Sequence, residues 1–482
     1  MRNSIYIKVV QRIVKYLTRR DLKRILGEIK ESISGTNQDF TTGSVGKAIV
    51  LLSIPMVLEM LMESIFAIVD IFFVSKLGAD AVATVGLTES LITIVYAVGI
   101  GLSTATTALV ARRIGEKHAE GASKVAAQAI ITALTISLLI GIPGAIFAPE
   151  LLHLMGADAK TIALHSGYTR WMLGGNVVIM LLFTINAAFR SAGDAAISMR
   201  VLLFANLINI VLDPILIFGL GPIAALGIEG AAIATNIGRG FAVLYQLKLL
   251  FGGTTRIKVY LKEFLPDFKL IGQLLKLSVG GIGQMIIATS SWIGLVRIIS
   301  LYGNEALAGY TIAIRLIIFA LLPSVGISNA AATLVGQNLG AGSPERAERS
   351  AYLTGVVNMV VLGIIGLFFI LFPTFFVTLF TSDPLVVTYA SECLQIVSYG
   401  FVAYGLGMVM VNAINGAGDT TTPTYINLFC YWLFEIPLAY VLAVVLGLRE
   451  QGVFYSILIA ETAMTITALI IFRRGKWKLV KV

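Results

Sequence analysis

The chain has few of the residues on which water-soluble proteins depend. Charged residues make up 13% of its 482 positions, whereas a soluble globular protein has roughly one quarter. Hydrophobic residues make up 57%, and the mean hydropathy is +0.89. This balance excludes an ordinary soluble domain and predicts that most of the chain lies in a membrane. The net charge of +9 does not indicate a nucleic-acid partner, because the basic residues are distributed as the topology of a membrane protein requires. We predict no nucleic-acid partner.

Cysteine and histidine are also scarce. The two cysteines, Cys393 and Cys430, fall within apolar stretches and form no disulfide framework. The 3 histidines lie near loops or span ends, so the sequence offers no cluster for a transition metal. There is no Walker-type phosphate loop, and no hydrophilic segment is long enough for a catalytic domain. We predict that the protein is not an enzyme and has no cofactor.

Long apolar stretches fill the chain instead. A helix needs roughly 20 apolar residues to cross a bilayer, and the short alternating strands of a membrane barrel are absent. We predict an all-α membrane protein with twelve transmembrane helices, numbered in order as spans one to twelve. They cover about 48–75, 86–111, 123–148, 162–189, 197–218, 228–251, 270–300, 306–335, 349–380, 386–415, 424–446 and 452–472.

The chain is a duplicated unit. Residues 50–200 reappear 225 positions later, and the offset holds without gaps at separate places. Gly115 matches Gly340, and Ala192-Gly193-Asp194 matches Ala417-Gly418-Asp419. Six spans per unit give both halves the same orientation, so the repeat axis runs along the membrane normal. We predict two pseudo-symmetric six-helix bundles.

Basic residues collect in every second connection, as the positive-inside rule describes. We therefore expect a multi-pass protein of the plasma or inner membrane with both termini in the cytoplasm. The predicted regions are a basic cytoplasmic extension (1–46), an amino-terminal bundle (47–251), a cytoplasmic linker (252–269), a carboxy-terminal bundle (270–472) and a basic cytoplasmic tail (473–482).

The extension is basic and helix-periodic over 5–24. Two interpretations remain open: a surface helix on anionic lipid, or a solvated segment that fixes topology. Residues 34–38 predict a flexible link to span one.

Ionisable residues inside a membrane are costly, so each one is a functional hypothesis. Span one carries Glu59, Glu63 and Asp70, which lie within about 40° of one another at about 100° per residue. Pro55, one turn before Glu59, removes a backbone hydrogen bond and predicts a hinge. This aligned set predicts the lining of a cavity.

Span five repeats the pattern. Asn209 and Asp213 share a face because they are four residues apart, and Asn206 lies one turn earlier. Pro214 predicts a second hinge. Further oxygen ligands are Asn186 in span four and Thr235 in span six. Such hard oxygens suit sodium, or a proton held between carboxylates.

The second half lacks the acids of span one. The positions that match Glu59, Glu63 and Asp70 are Gln284, Ala288 and Leu295. We therefore place the coupling site in the first half. The alternative is that Asp70 and Asp213 are structural partners of Lys or Arg, but the sequence indicates no basic residue at mid-depth in spans one to six.

For the other charged residues in the spans of the second half, we favour a structural role over a second coupling site. Glu435 in span eleven, Arg297 in span seven and Arg315 in span eight are expected to form an ion pair there. Glu461 is expected at an interface or in the passage.

The sequence resembles the multidrug and toxic compound extrusion (MATE) family over roughly 46–475. The motifs that carry the resemblance are Pro55 followed fifteen residues later by Asp70, and the segments 190–194, 209–214, 227–235 and 336–342. The family fold, two six-helix bundles arranged as a V, agrees with the repeat.

The resemblance also implies roles. In the archaeal and DinF-like branch, the coupling cation is bound at positions that match Asp70, Asn209, Asp213 and Thr235. The NorM branch uses acids in spans seven and ten, and Ala288 at the span-seven position favours the first-half mechanism. Two departures from the family pattern leave the ion open as sodium or proton. They are Phe66-Ala67 in place of a frequent Tyr-Asn pair, and Glu63 in place of a neutral amide.

We predict a secondary antiporter that exports small amphipathic, mostly cationic compounds by alternating access. Its coupling ion is sodium or a proton, and we assign the substrate cavity to Glu59, Glu63, Phe66, Asn186 and Asn206. The expected partners are drug-like small molecules and the lipid bilayer, and we expect a monomer. The alternatives are a lipid-linked oligosaccharide flippase of the same superfamily and a membrane scaffold or receptor without transport.

Overall fold

A computed structural model describes residues 19–36 and 38–482. Within this part of the chain the structure is helical, and its one β-type pairing is the isolated bridge between Leu220 and Ile223. The extension contributes a helix over Arg19–Ser34. Most of the helix predicted for residues 5–24 lies outside the described residues.

The first half contains six long helical segments that correspond to the predicted spans. A short helix, Ala148–Leu154, precedes span four. Spans one to six are Val45–Ser75, Ala79–Gly115, Ala119–Ile146, the pair Ala159–Gly174 and Asn176–Ala192, Ala195–Phe218, and Ile228–Gly252.

The second half repeats this order after a linker that contains a 3₁₀ turn, Leu261–Phe264. A short helix, Pro373–Thr378, precedes span ten. Spans seven to twelve are Phe268–Ile299, Asn304–Gly340, Pro344–Leu371, the pair Pro384–Ser398 and Phe401–Gly416, Thr421–Val445, and Arg449–Arg473. Among the described residues, 9 helices are long and apolar enough to cross a membrane, and the pair in span ten, bent by 59°, makes 10.

Spans four and ten are interrupted at equivalent positions, which the sequence did not indicate. The interruptions fall at Gly175 and Gly400, which are 225 residues apart. A Cβ atom at Gly175 would lie 2.3 Å from Oδ1 of Asn236, and one at Gly400 would lie 2.8 Å from a methyl group of Leu458. Side chains of spans six and twelve therefore lie against the two breaks.

The two halves meet through glycines that the repeat relates to each other. A Cβ atom at Gly115 of span two would lie 1.9 Å from the carbonyl oxygen of Gln337, and one at Gly340 of span eight would lie 2.1 Å from that of Arg112. Because Gln337 is itself the repeat counterpart of Arg112, these are two copies of one contact across a pseudo-twofold axis.

A second pair of related glycines extends the interface along the same spans. Gly101 of span two would place a Cβ atom 2.7 Å from the carbonyl oxygen of Ser278 in span seven. Its counterpart Gly326 in span eight would place one 2.8 Å from the carbonyl oxygen of Met56 in span one. Small residues thus let backbones of opposite halves approach closely, as membrane helices require.

Alanine at either end of the symmetric contact should therefore separate the halves. We expect Gly115→Ala and Gly340→Ala each to lower the free energy of unfolding in detergent by about 1–3 kcal/mol, the usual cost of overpacking. The matched control is Gly240→Ala, whose Cβ atom would meet only a methyl group of Val178 at 3.8 Å. If Gly115→Ala and Gly340→Ala unfold with the same free energy as the control, the close contact between the halves contributes no measurable stability.

Arginines of span nine and of the linker form hydrogen bonds with the segment before span one. Arg346 of span nine donates to the carbonyl oxygens of Phe40, Thr42 and Gly43, and Arg256 of the linker donates to those of Thr36 and Gln38. Basic side chains of neighbouring connections thus satisfy the carbonyls of Thr36 and Gln38, and the flexibility expected for 34–38 stays a prediction.

Asp39 in this segment keeps its charge over the physiological range. Burial alone would raise its pKa, but hydrogen bonds from Lys117 and Thr41 outweigh burial and lower it to about 2. Since the folded-state pKa is depressed, the stabilisation is present above the ordinary value of 3.8 and is lost as the pH falls toward 2. A neutral-range pH dependence of transport therefore has to come from other groups.

Candidate ion and substrate sites

The side chains of Asn209, Asp213 and Thr235 meet where spans five and six cross. Nδ2 of Asn209 donates to Oδ1 of Asp213 at 3.0 Å and to Oγ1 of Thr235 at 3.4 Å. The helical spacing of four aligns Asn209 with Asp213. Gly238, three residues after Thr235, lets the two helices approach, because a Cβ atom there would lie 2.9 Å from the carbonyl oxygen of Ala205.

Asp70 of span one joins this group. Its carboxyl group is close enough to that of Asp213 for electrostatic interaction. Three buried oxygens accept no hydrogen bond from the described residues: Oδ1 of Asp70, Oδ1 of Asn209 and Oδ2 of Asp213. Buried acceptors without donors are costly, and a bound cation or an added proton would satisfy them. The donor set, carboxylate and amide oxygens with one hydroxyl group, fits a hard cation or a proton.

Neither aspartate forms an ion pair with a described basic residue, although Arg239, on the wall of the cavity beside Asp70, is close enough to Asp70 for electrostatic interaction. Among the described residues, no ion pair includes Asp70 or Asp213. The alternative that both are structural partners of Lys or Arg does not describe the structure.

A cavity of about 330 Å³ lies beside Asp70, and we call it the first-half cavity. Glu63, Phe66 and Asp70 of span one, Glu89 of span two and Thr235 of span six line it. Arg239 of span six closes one wall. An ion at Asp70 would therefore face this cavity.

Arg239 overturns the prediction that no basic residue lies at mid-depth in the first half. It is 4% exposed, its Nη2 lies 3.5 Å from Oε2 of Glu63, and its guanidinium group is 4.8 Å from the ring centre of Phe66. The overlooked signal was spacing, since Arg239 follows Thr235 by four residues and so shares its face.

Glu59 is also neutralised. Nη1 of Arg190 and Nδ2 of Asn186 both donate to Oε1 of Glu59, the latter at 3.1 Å, and Nε2 of Gln246 donates to Oδ1 of Asn186. Arg190 lies in the last turn of span four and is buried, so it faces the interior of the bundle. Its spacing of four from Asn186 was the available signal.

The acidic stripe of span one is thus only partly unpaired. Two of its three carboxylates have arginine partners, and Asp70 does not. This leaves Asp70 as the span-one acid that can gain most from a cation.

A larger cavity of about 480 Å³, the central cavity, lies between the halves. Its first-half wall contains Glu59, Glu63 and Asn186, three of the residues assigned to the substrate cavity. Phe66 lies in the first-half cavity instead. Asn206 is buried away from both, and its Nδ2 donates to the carbonyl oxygen of Met62 at 2.7 Å.

Pro55 and Pro214 lie within continuous helices. Pro55 is buried in span one, close to the contact between Gly326 and Met56, and Pro214 directly follows Asp213 in span five. Each lacks a backbone N–H and leaves one carbonyl of its helix without the usual donor. Their roles as hinges remain predictions.

The contacts of the acidic residues in the second half differ from those predicted. Glu435 accepts a hydrogen bond from Ser291 at 2.9 Å, and Glu461 accepts one from Tyr431 at 3.3 Å. No ion pair of the described residues joins Glu435 to Arg297 or Arg315, so the predicted structural ion pair was wrong. The positions of these residues along their spans did not show which helix faces they occupy.

Together these features define a class of protein. A parallel duplication of six-helix bundles, with buried unpaired oxygens beside cavities, is the architecture of a secondary transporter. The MatE family model matches residues 55–215 and 282–441, most of each half. The chain therefore belongs to the MATE family of transporters and is not an enzyme.

Two relatives are named as multidrug resistance or multidrug export proteins. The chain is 27% identical over 419 residues to the probable multidrug resistance protein YoeA of Bacillus subtilis, covering 85% of this chain and 89% of that protein. It is 25% identical over 439 residues to the multidrug export protein MepA of Staphylococcus aureus, covering 90% of this chain and 94% of that protein.

Solved structures match over nearly the whole chain. A MATE protein in the bent conformation is 26% identical, with a TM-score of 0.84 and coverage of 92% of this chain and 97% of that one. A MOP superfamily transporter from Pyrococcus furiosus is 26% identical, with a TM-score of 0.84 and coverage of 90% and 97%. The V-shaped MATE fold predicted from the sequence is confirmed.

Proposed function

We propose that this protein is a cation-coupled multidrug efflux antiporter of the plasma or inner membrane. It exports small amphipathic compounds by alternating access, and its coupling ion, Na⁺ or H⁺, binds at Asp70, Asn209, Asp213 and Thr235. The observation that carries the proposal is the set of three buried oxygens without donors on spans one and five. The names of the relatives YoeA and MepA support the drug-like substrates.

Span one supplies the mechanical link. The same helix places Asp70 in the first-half cavity and Glu59 in the central cavity, and Glu63 lines both. Ion binding at Asp70 neutralises a buried charge, and a bend at Pro55 then changes the wall of the central cavity. Linkage requires that the ion weakens drug binding as much as the drug weakens ion binding.

The orientation follows from the basic connections. We propose that both termini and the end of the bundles near Gly115 and Gly340 face the cytoplasm, and that the protein works as a monomer in the bilayer. The halves touch at that end. The flippase alternative would call for a large basic central cavity. Among the described residues that line the central cavity, the one basic side chain is Arg190, and Glu59 neutralises it.

Proteoliposomes with separately imposed gradients test the proposal. A tenfold Na⁺ gradient or a pH gradient of one unit supplies about 1.4 kcal/mol per ion. The coupling gradient should therefore drive up to about tenfold accumulation of a fluorescent drug per ion exchanged. The other gradient should have no effect. Equal drug distribution under both gradients, in vesicles that contain folded protein, would contradict ion-coupled antiport.

A further inference from the structure

The second half contains a cavity that the repeat relates to the first-half cavity. It measures about 280 Å³, and we call it the second-half cavity. Positions 63, 66, 67, 70, 96 and 172 line the first-half cavity, and their counterparts 288, 291, 292, 295, 321 and 397 line the second-half cavity. The duplication has therefore preserved one cavity in both bundles.

The two cavities carry their charge on different helices. The counterparts of Glu63 and Asp70 are Ala288 and Leu295, so spans one and seven are no longer alike. The second-half cavity instead receives Glu435 from span eleven and Glu461 from span twelve. The second-half cavity therefore contains two acids although its span-seven wall has none.

Within the described part of the chain, no basic side chain pairs with these two carboxyl groups. Glu435 is 4% exposed, and the hydrogen bonds to the pair come from the neutral hydroxyl groups of Ser291 and Tyr431. No Lys, Arg or His stands among the described residues that line the cavity. In the first half, by contrast, Glu59 and Glu63 each have an arginine.

Tyr431 and Glu435 reach the cavity from a stretch of unusual helix geometry. Span eleven winds as a π-helix over Leu428–Glu435, just before Pro437. Wider turns of this kind change the face that following side chains occupy, and they are frequent at functional sites. Both Tyr431 and Glu435 line the cavity from this turn.

The remaining walls select among cations. Trp292, Tyr404 and Tyr431 are aromatic, and Leu295, Ile317 and Leu321 are apolar. An alkali ion requires several oxygen ligands at once, whereas an organic cation gains from aromatic faces and apolar surface together. The volume is close to the lower end for small-molecule sites, which begin at roughly 300 Å³.

We propose that the second-half cavity binds the organic cation that the protein exports. Glu435 and Glu461 supply its countercharge, and Trp292, Tyr404 and Tyr431 form its aromatic wall. This inference rests on the proposed function, and it adds a substrate site separate from the coupling-ion site at Asp70.

Equilibrium binding of radiolabelled tetraphenylphosphonium to the purified protein in lipid nanodiscs tests the proposal without any ion gradient. We expect Glu435→Gln and Glu461→Gln each to weaken binding about tenfold or more, since each removes a buried countercharge. The matched control Glu305→Gln, an exposed acid in the first turn of span eight, should bind like the wild type. Triphenylphosphine oxide, a neutral compound of similar shape, should not compete.

Further variants distinguish a failure of the proposed substrate site from a failure of the proposed ion coupling. Asp70→Asn should abolish the competition between the coupling ion and tetraphenylphosphonium, while the binding that remains should still depend on Glu435 and Glu461, so the coupling proposal can fail by itself. Tyr431→Leu keeps both carboxylates and should also weaken binding about tenfold, which covers the case in which a glutamine variant does not fold. Thermal unfolding and gel filtration establish that each variant is folded.

Two results would overturn the proposal. One is wild-type binding by folded Glu435→Gln and Glu461→Gln with weakened binding by Glu63→Gln, which would place the cation in the central or first-half cavity. The other is equal competition by triphenylphosphine oxide, which would show an apolar cavity with no selection for charge.

Discussion

Replacing Asp70 by asparagine should reduce ion-driven drug export at least tenfold while the protein remains folded in the membrane. Asparagine keeps the size of the side chain but removes the charge that a cation would neutralise, and Oδ1 of Asp70 has no donor to lose. The measurement is drug accumulation in proteoliposomes under the coupling gradient, with drug susceptibility of expressing cells as a second readout.

The matched control is Asp80→Asn at the start of span two. Asp80 is 54% exposed at its side chain and pairs with Lys160 on the surface, so export should stay at the wild-type level. Asp213→Asn should reproduce the loss, and the double variant Asp70→Asn with Asp213→Asn should be no worse than either, because one ion needs both groups. Wild-type export by Asp70→Asn would end the first-half mechanism.

Replacing Arg190 by methionine should destabilise the protein by about 3–5 kcal/mol, the usual cost of removing one partner from a buried ion pair. Glu59 is 2% exposed, and without Arg190 its charge would keep only the neutral donor Asn186. The measurement is the free energy of unfolding in detergent, from denaturant or thermal curves. Arg200→Met, at an exposed arginine of span five, serves as the control and should change stability little.

The double variant Arg190→Met with Glu59→Gln distinguishes an ion pair from simple packing. Removing both charges leaves no buried countercharge, so we expect recovery of more than half of the lost stability. A double variant as unstable as Arg190→Met alone would show that Arg190 acts through its bulk. The same result would return Glu59 to the set of acids available to a substrate.

These pairings change how the charge of the protein is distributed. The first half has an acidic stripe in which two acids pair with arginine. Among the described residues, no ion pair includes Asp70 or Asp213 at the proposed ion site, or Glu435 or Glu461 in the second half. The second-half cavity therefore supports the proposed preference for cationic compounds.

Much of the protein could be predicted from the sequence, because the relevant signals are local. A bilayer demands long apolar helices, and the fixed offset of 225 makes the duplication visible without any structure. The helical period brought Asn209 together with Asp213, and it aligned Asp70 with Glu63 on span one. These features depend on the distance along one helix, which a sequence states directly.

Contacts between helices could not be predicted in this way. Whether Glu59 meets Arg190, or Glu63 meets Arg239, depends on how spans one, four and six rotate against each other. That rotation is set by close backbone approach at glycines such as Gly238 and Gly326. The breaks at Gly175 and Gly400 likewise depend on neighbours in other spans.

The sequence by itself determined the membrane bundle, its twofold repeat, its family and the oxygen ligands that share a helix face. Only the tertiary structure decided which acids remain without a basic partner and which cavity each acid faces. The physical reason is that duplication preserves backbone shape, which small and apolar residues maintain. A charge can come from any helix that borders the same cavity, as it comes from Glu435 and Glu461 in the second half.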